Sequence, residues 1–159
     1  MNKLSDEILK KKYSELHNDF IKGDFLNVIK GCNKVLEKRK NQLFFNLLCI
    51  AYQKIGKIEK SIDVMNEALT FNPNHPDFLN NLGLCFYMLH KFSEAEKYFK
   101  KGLEIDNKHL HILNNLGNSK RETYKIEESI NYYKKVLSIQ HDAVPTLFNL
   151  VGIYRILNE

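Results

Sequence analysis

Asparagine recurs in this chain at a fixed spacing: Asn81, Asn115 and Asn149 stand 34 residues apart, and Asn46, Asn80 and Asn114 repeat the interval beside them. A carboxamide offers N–H donors and a carbonyl acceptor, so it pairs with a peptide backbone whatever side chains that backbone carries. Asparagine is also abundant, 18 of 159 residues, so polar faces would carry it for solvation alone. Catalytic chemistry has no comparable signal. His109 and His111 fall on different sides of a predicted helix, without the Cys or carboxylate that would complete a metal set. Tyr, Ser and Glu are plentiful but build no nucleophile or phosphate-cradling motif. The expectation is a non-enzyme that holds neither metal nor cofactor.

The elements that must position these asparagines repeat with them. Leu48, Leu82, Leu116 and Leu150 keep the interval of 34, as do Ser61, Ala95 and Ser129, and Met65, Phe99 and Tyr133. Tyr52, Phe86 and Tyr154 share a further column, interrupted at Lys120. Self-similarity in several columns at one period marks a stack of small structural units. Aligning on the leucines gives units of about 42–75, 76–109 and 110–143, a divergent first unit at about 9–41 and a half-unit at 144–159. Inside each unit the apolar pattern is helical, breaks, and is helical again: Leu79, Leu82, Gly83 and Phe86 share one face, and Ala95, Phe99, Gly102 and Leu103 another.

The breaks also align. Gly23, Gly56, His90 and Tyr124 recur at intervals of 33, 34 and 34. Glycine permits the left-handed backbone that ends a helix, so the turns at His90 and Tyr124 are expected to be strained or differently shaped. Ser93 with Glu96 predicts a capping box at the second helix of its unit. Pro76 and Pro145 suit helix starts.

These columns, with Asn-Asn-Leu-Gly at 80–83 and 114–117 and Asn-Pro at 72–73, resemble the tetratricopeptide repeat. Leu82, Gly83, Phe86, Ala95, Phe99 and Gly102 match its signature positions, and the likeness spans about residues 10–159. Departures are the lack of Trp, Lys120 in place of an aromatic, and Ser61 and Ser129 in place of Ala. The period of 34 speaks against a pentatricopeptide RNA reader, whose repeat is nearer 35. The resemblance implies an all-α fold, an α-solenoid of antiparallel helix pairs forming a single array over 1–159. It also implies a concave groove lined by the first helix of each pair, binding an extended peptide or protein segment.

On that reading the groove presents Asn46, Asn80, Asn81, Tyr87, Asn114, Asn115, Asn118, Arg121 and Asn149. Neighbouring helices stand about 10 Å apart, close to three residues of extended chain at ~3.3–3.6 Å each. The second column resembles the asparagine ladder of O-linked N-acetylglucosamine transferase arrays. The paired cations by which another subclass grips chaperone C-termini are missing: the corresponding positions hold Asn46 and Ile50, Asn80 and Leu84, Asn114 and Asn118.

Net charge is +5, and residues 1–41 alone carry ten Lys/Arg against six Asp/Glu. That bias suits an acidic partner or simply a solvated face; nucleic-acid binding, which steep salt dependence would mark, ranks third. No stretch is apolar enough for a membrane span, and the start of the chain shows no export signal. Cys32, Cys49 and Cys85 fall in predicted helices, as buried reduced thiols in a cytoplasmic protein would. Helix 144–159 is apolar nearly all round. This predicts either a longer natural chain or self-association through Leu150, Ile153, Tyr154 and Leu157, a docking role that is the alternative to groove binding.

Overall fold

The computed structural model describes residues 5–157, and among them nine α-helices and no strand. The chain divides after Pro73 into two compact units. The first holds α1 (Asp6–Ile21), α2 (Phe25–Leu36), α3 (Gln42–Lys54) and α4 (Ile58–Phe71). The second holds α5 (Pro76–Met88), α6 (Phe92–Ile105), α7 (Leu110–Glu122), α8 (Ile126–Ile139) and α9 (Val144–Leu157). All-α architecture in helix pairs follows from the 34-residue period, each helix being too short to bury its apolar face alone.

Within each pair a tight turn reverses the chain the same way every time. Gly23 (φ 82°), Gly56 (φ 73°), His90 (φ 57°) and Tyr124 (φ 59°) all take the left-handed conformation. The closing bonds match: Lys57 N–H donates to Tyr52 O at 2.9 Å, Lys91 N–H to Phe86 O at 2.9 Å and Lys125 N–H to Lys120 O at 2.8 Å. The turns at His90 and Tyr124 are therefore not differently shaped. They accept the left-handed strain, of order 1–2 kcal/mol each, because the packing of the helix pair dictates the reversal.

The same geometry overturns the expected capping box. The helix begins at Phe92 with Lys91 as its N-cap, and Lys91 makes no side-chain capping bond. Ser93 is already inside the first turn, and the Glu96 carboxylate points elsewhere. Lys57 and Lys125 occupy the same uncapped position at the starts of α4 and α8. The left-handed residue fixes where the next helix starts, so the turn overrides local capping preference.

In the second unit, Phe99 packs with Ala95, Ile112 and Leu116, and Tyr133 with Leu150 and Ile153. Gly83 and Gly117 let these rings approach: a Cβ on either would lie 2.5 Å from Phe99 Cε1 or Tyr133 Cε1. The serines that replace alanine are bonded rather than merely tolerated. Ser61 Oγ donates to Cys49 O at 2.9 Å and Ser129 Oγ to Gly117 O at 2.8 Å, each joining the two helices of a pair. In the first unit Leu16, Val28, Cys32, Phe44, Phe45, Leu48 and Met65 are buried.

The last helix corrects one expectation. Leu150 (8% exposed) and Ile153 (3%) pack inward against Tyr133, with Ile126, Ile130 and Leu137 around them, so they belong to the core and not to a docking face. An all-round apolar helix does not announce its inner side; α8 selects it. The exposed apolar side chains of α9 include Leu147, Phe148 (74%), Val151, Ile156 and Leu157, with Tyr154 beside them.

Candidate functional site

The asparagines of the second unit lie on α5, α7 and α9, the first helices of successive pairs, and they are bonded to one another. Asn115 Nδ2 on α7 donates to Asn80 Oδ1 on α5 at 2.9 Å. Asn149 Nδ2 on α9 donates to Asn118 Oδ1 on α7 at 3.2 Å, and the Tyr133 hydroxyl donates to that same oxygen at 2.6 Å. Thr146 Oγ1 donates to Asn114 Oδ1 at 3.0 Å. Only the Asn115–Asn80 bond joins the two sequence columns, while Asn118 and Thr146 belong to neither, so the columns are not ladders of equivalent rungs. Asn80 is 8% exposed and acts as a cross-helix acceptor. Asn81, Asn114, Asn115, Asn118 and Asn149 are half-buried; Asn46, also half-buried, lies on α3 of the first unit.

These bonds use only part of each carboxamide. Among the described residues the Asn115 carbonyl and the Asn114 amide N–H groups make no hydrogen bond. One acceptor and donors on adjacent residues of α7 are thus left over.

Charge sits at the end of this row. Arg121 donates to Asn149 Oδ1 at 3.4 Å and to Glu122 Oε1 at 3.2 Å. Burial raises the Tyr87 hydroxyl above its ordinary pKa, with the nearby Glu122 carboxylate adding to the effect and Arg121 opposing it. Asn118, Asn149 and Arg121 are therefore hydrogen-bonded into one polar patch, with Tyr87 close to its Glu122 edge. At the other end His109 Nε2 lies 2.9 Å from Asp77 Oδ1, a hydrogen bond that holds the Asp77 carboxyl below its usual range against the opposing effect of burial.

One arrangement was missed from sequence. Lys120, which interrupts the aromatic column, is only 4% exposed, and its Nζ lies 2.9 Å from both Glu96 Oε2 on α6 and Glu128 Oε2 on α8. Burial disfavours the ammonium, but the two carboxylates outweigh it and its pKa is raised. A signal did exist. Glu96 stands where Ile62 and Ile130 stand in neighbouring units, so two columns lapse at once, and a cation and an anion fill the two lapses. The triad ties three helices together behind α7 and reads as structural.

No group of three or more His, Cys, Asp or Glu is placed to hold a metal among the described residues, and no helix is long and apolar enough to cross a membrane. Cys32, Cys49 and Cys85 are buried and unbridged, and burial pushes the Cys32 thiol up to about 12.

Models of the tetratricopeptide repeat match residues 42–75, 76–109 and 109–144. No curated protein matches the sequence. Among solved structures, a thermophilic TPR protein of Thermus thermophilus is similar at TM-score 0.83 and 15% identity, over 90% of this chain and 79% of that one. YrrB, described as a TPR protein with an unusual peptide-binding site, is similar at TM-score 0.71 and 19% identity, over 87% and 72%. The first TPR of Spaghetti (RPAP3), bound to the HSP90 peptide SRMEEVD, is similar at TM-score 0.67 and 21% identity, over 74% and 93%. Likeness at such identities concerns the fold.

Proposed function

Because the chain belongs to the tetratricopeptide-repeat family, a fold of protein-interaction scaffolds, we propose that its second unit binds an extended peptide segment along α5, α7 and α9. The observation that carries this reading is the pair of unfilled groups on α7, the Asn115 carbonyl and the Asn114 amide. They suit the N–H and C=O of a peptide backbone. The cross-helix bonds hold both side chains in place beforehand, which lowers the ordering cost of binding. Tyr87 supplies an apolar surface and Arg121 a cation for a peptide carboxylate. Peptide binding by YrrB and by the RPAP3 domain supports the reading by analogy.

The test selects binders from a random peptide library on the whole chain, then retests them on Asn114→Ala/Asn115→Ala. Two backbone bonds worth ~0.5–1.5 kcal/mol each predict a loss of roughly fivefold to a hundredfold. Lys134→Ala/Lys135→Ala, on the exposed side of α8, is the control and should bind normally. Equal binding by both variants, with helicity unchanged in circular dichroism, overturns the reading.

A second reading rests on α9. Leu147, Val151 and Tyr154 stand 34 residues after Leu113, Gly117 and Lys120, which are buried beneath α8, yet all three are exposed. The occupant we assign to this face is a second copy of the chain. Sedimentation velocity should show concentration-dependent dimers that Tyr154→Ser/Leu157→Ser abolishes. A chain monomeric at every concentration rejects it.

A further inference from the structure

The basic bias of residues 1–41 has a structural focus in the first unit. A cleft of about 360 Å3 opens between α1 and α2. Its floor is apolar, made of Ile8, Leu9, Gly31 and Val35, and its rim carries Lys12 from α1 and Lys30, Lys34 and Lys38 from α2 and the turn after it. Ile8 is exposed, so the floor is open to a ligand.

The lysines are not equivalent. Lys12 is paired with Glu15, and the nearby Arg39 and Lys40 with Asp6 and Glu67. Among the described residues, Lys30, Lys34 and Lys38 have no ion-pair or hydrogen-bond partner for their side chains, and they stand four residues apart. Lys30 and Lys34 stand one turn apart on α2, ~6 Å from each other, and Lys38 continues the line along the cleft from the turn after the helix. Like charges so arranged repel, and although the C-terminal carbonyls of α2 favour Lys34, no carboxylate among the described residues pairs with any of the three. A neighbouring cleft between α1 and α3 carries Asp6 as well as Lys10 and shows no such imbalance.

We infer that this cleft is a docking site for an acidic amphipathic helix of a partner protein. Carboxylates at every fourth residue of such a helix would meet Lys30, Lys34 and Lys38 in register, and its apolar side would cover Ile8, Leu9 and Val35. A row of three cations suits a multiply charged ligand better than an amphiphile with one head group. The apolar floor distinguishes this ligand from a polynucleotide, whose phosphates would engage the lysines but leave Ile8 and Val35 uncovered. The site is separate from the α5, α7 and α9 surface and does not depend on it.

The probe is a labelled amphipathic peptide of about 18 residues with Glu at every fourth position and Leu on the adjoining face, followed by fluorescence anisotropy on the full chain. Lys30→Glu/Lys34→Glu/Lys38→Glu should weaken it by about tenfold or more, and the same peptide with Lys replacing Glu should then bind the variant better than the wild type. Ile8→Ser should weaken the acidic peptide and leave the binding of an oligothymidylate unchanged. Circular dichroism establishes that each variant is folded. The inference is overturned if the acidic peptide fails to bind, if charge reversal leaves it bound, or if the oligothymidylate binds more tightly and Ile8→Ser changes neither ligand. That last outcome would make the row a general polyanion surface.

Discussion

Asn115 donates to Asn80 across 2.9 Å, from α7 to α5, so its nitrogen fastens the two helices together while its side-chain oxygen makes no hydrogen bond among the described residues. Loss of the side chain therefore acts on stability. Asn115→Ala leaves the buried Asn80 carbonyl without its donor, at a cost of about 1–3 kcal/mol. Urea denaturation followed by circular dichroism measures it. A change under ~0.3 kcal/mol would mean that solvent replaces the bond and that Asn115 does not stabilise the fold.

Lys120 should be the most sensitive charged residue of the second unit. Lys120→Met removes the shorter of the two ion pairs of the largely buried Glu96, leaving Lys100 at 3.7 Å, and breaking such a pair costs about 3 kcal/mol. Adding Glu96→Gln should recover part of that loss, because a largely buried carboxylate left with only the longer pair to Lys100 becomes neutral. If the double variant is as unstable as the sum of the singles, the two side chains are not coupled.

Tyr124 holds a left-handed backbone at φ 59° while its side chain is 90% exposed and contributes little packing. Tyr124→Gly should therefore stabilise the chain by roughly 0.5–1 kcal/mol, the relief of strain exceeding the added freedom of the unfolded glycine. Gly56→Ala, at φ 73°, should do the reverse by a similar amount. Thermal melting of both variants checks the pair, and a destabilised Tyr124→Gly would show that the ring matters after all.

Acid should weaken the second unit through Asp77. Its folded pKa is depressed, chiefly by the His109 hydrogen bond, so the linked stability is complete above the unfolded value of about 3.9 and disappears as pH falls through the folded value. The melting temperatures of wild type and Asp77→Asn should differ at about pH 6, and the gap should narrow as pH falls below the unfolded value of about 3.9. An unchanged gap would rule out the carboxylate charge as its source.

How much of this was legible beforehand follows from what a period can carry. The positions of Leu82, Leu116, Phe99 and Tyr133 in the core, and of Gly83 and Gly117 beneath the rings, repeat because each unit poses the same packing problem to the same column. Helix pairs follow directly, but the uncapped start of α6 and the shared left-handed turn at His90 and Tyr124 do not. The candidate site was legible only as a set of positions on the first helices, with no record of which carboxamide would hold which.

What the sequence determined by itself is equivalence: which residues occupy the same place in successive units, and hence the fold. Contact across units was decided by the tertiary structure. Lys120 finds Glu96 and Glu128 on two other helices, and Asn115 finds Asn80 rather than its own column partner Asn81. Leu150 and Ile153 turn inward on a helix whose apolar residues favour no side, because only α8 lies there to cover them. Periodicity reports the symmetry of the units, whereas bonds form where side chains of different units come within reach, and that distance exists only once the helices have packed.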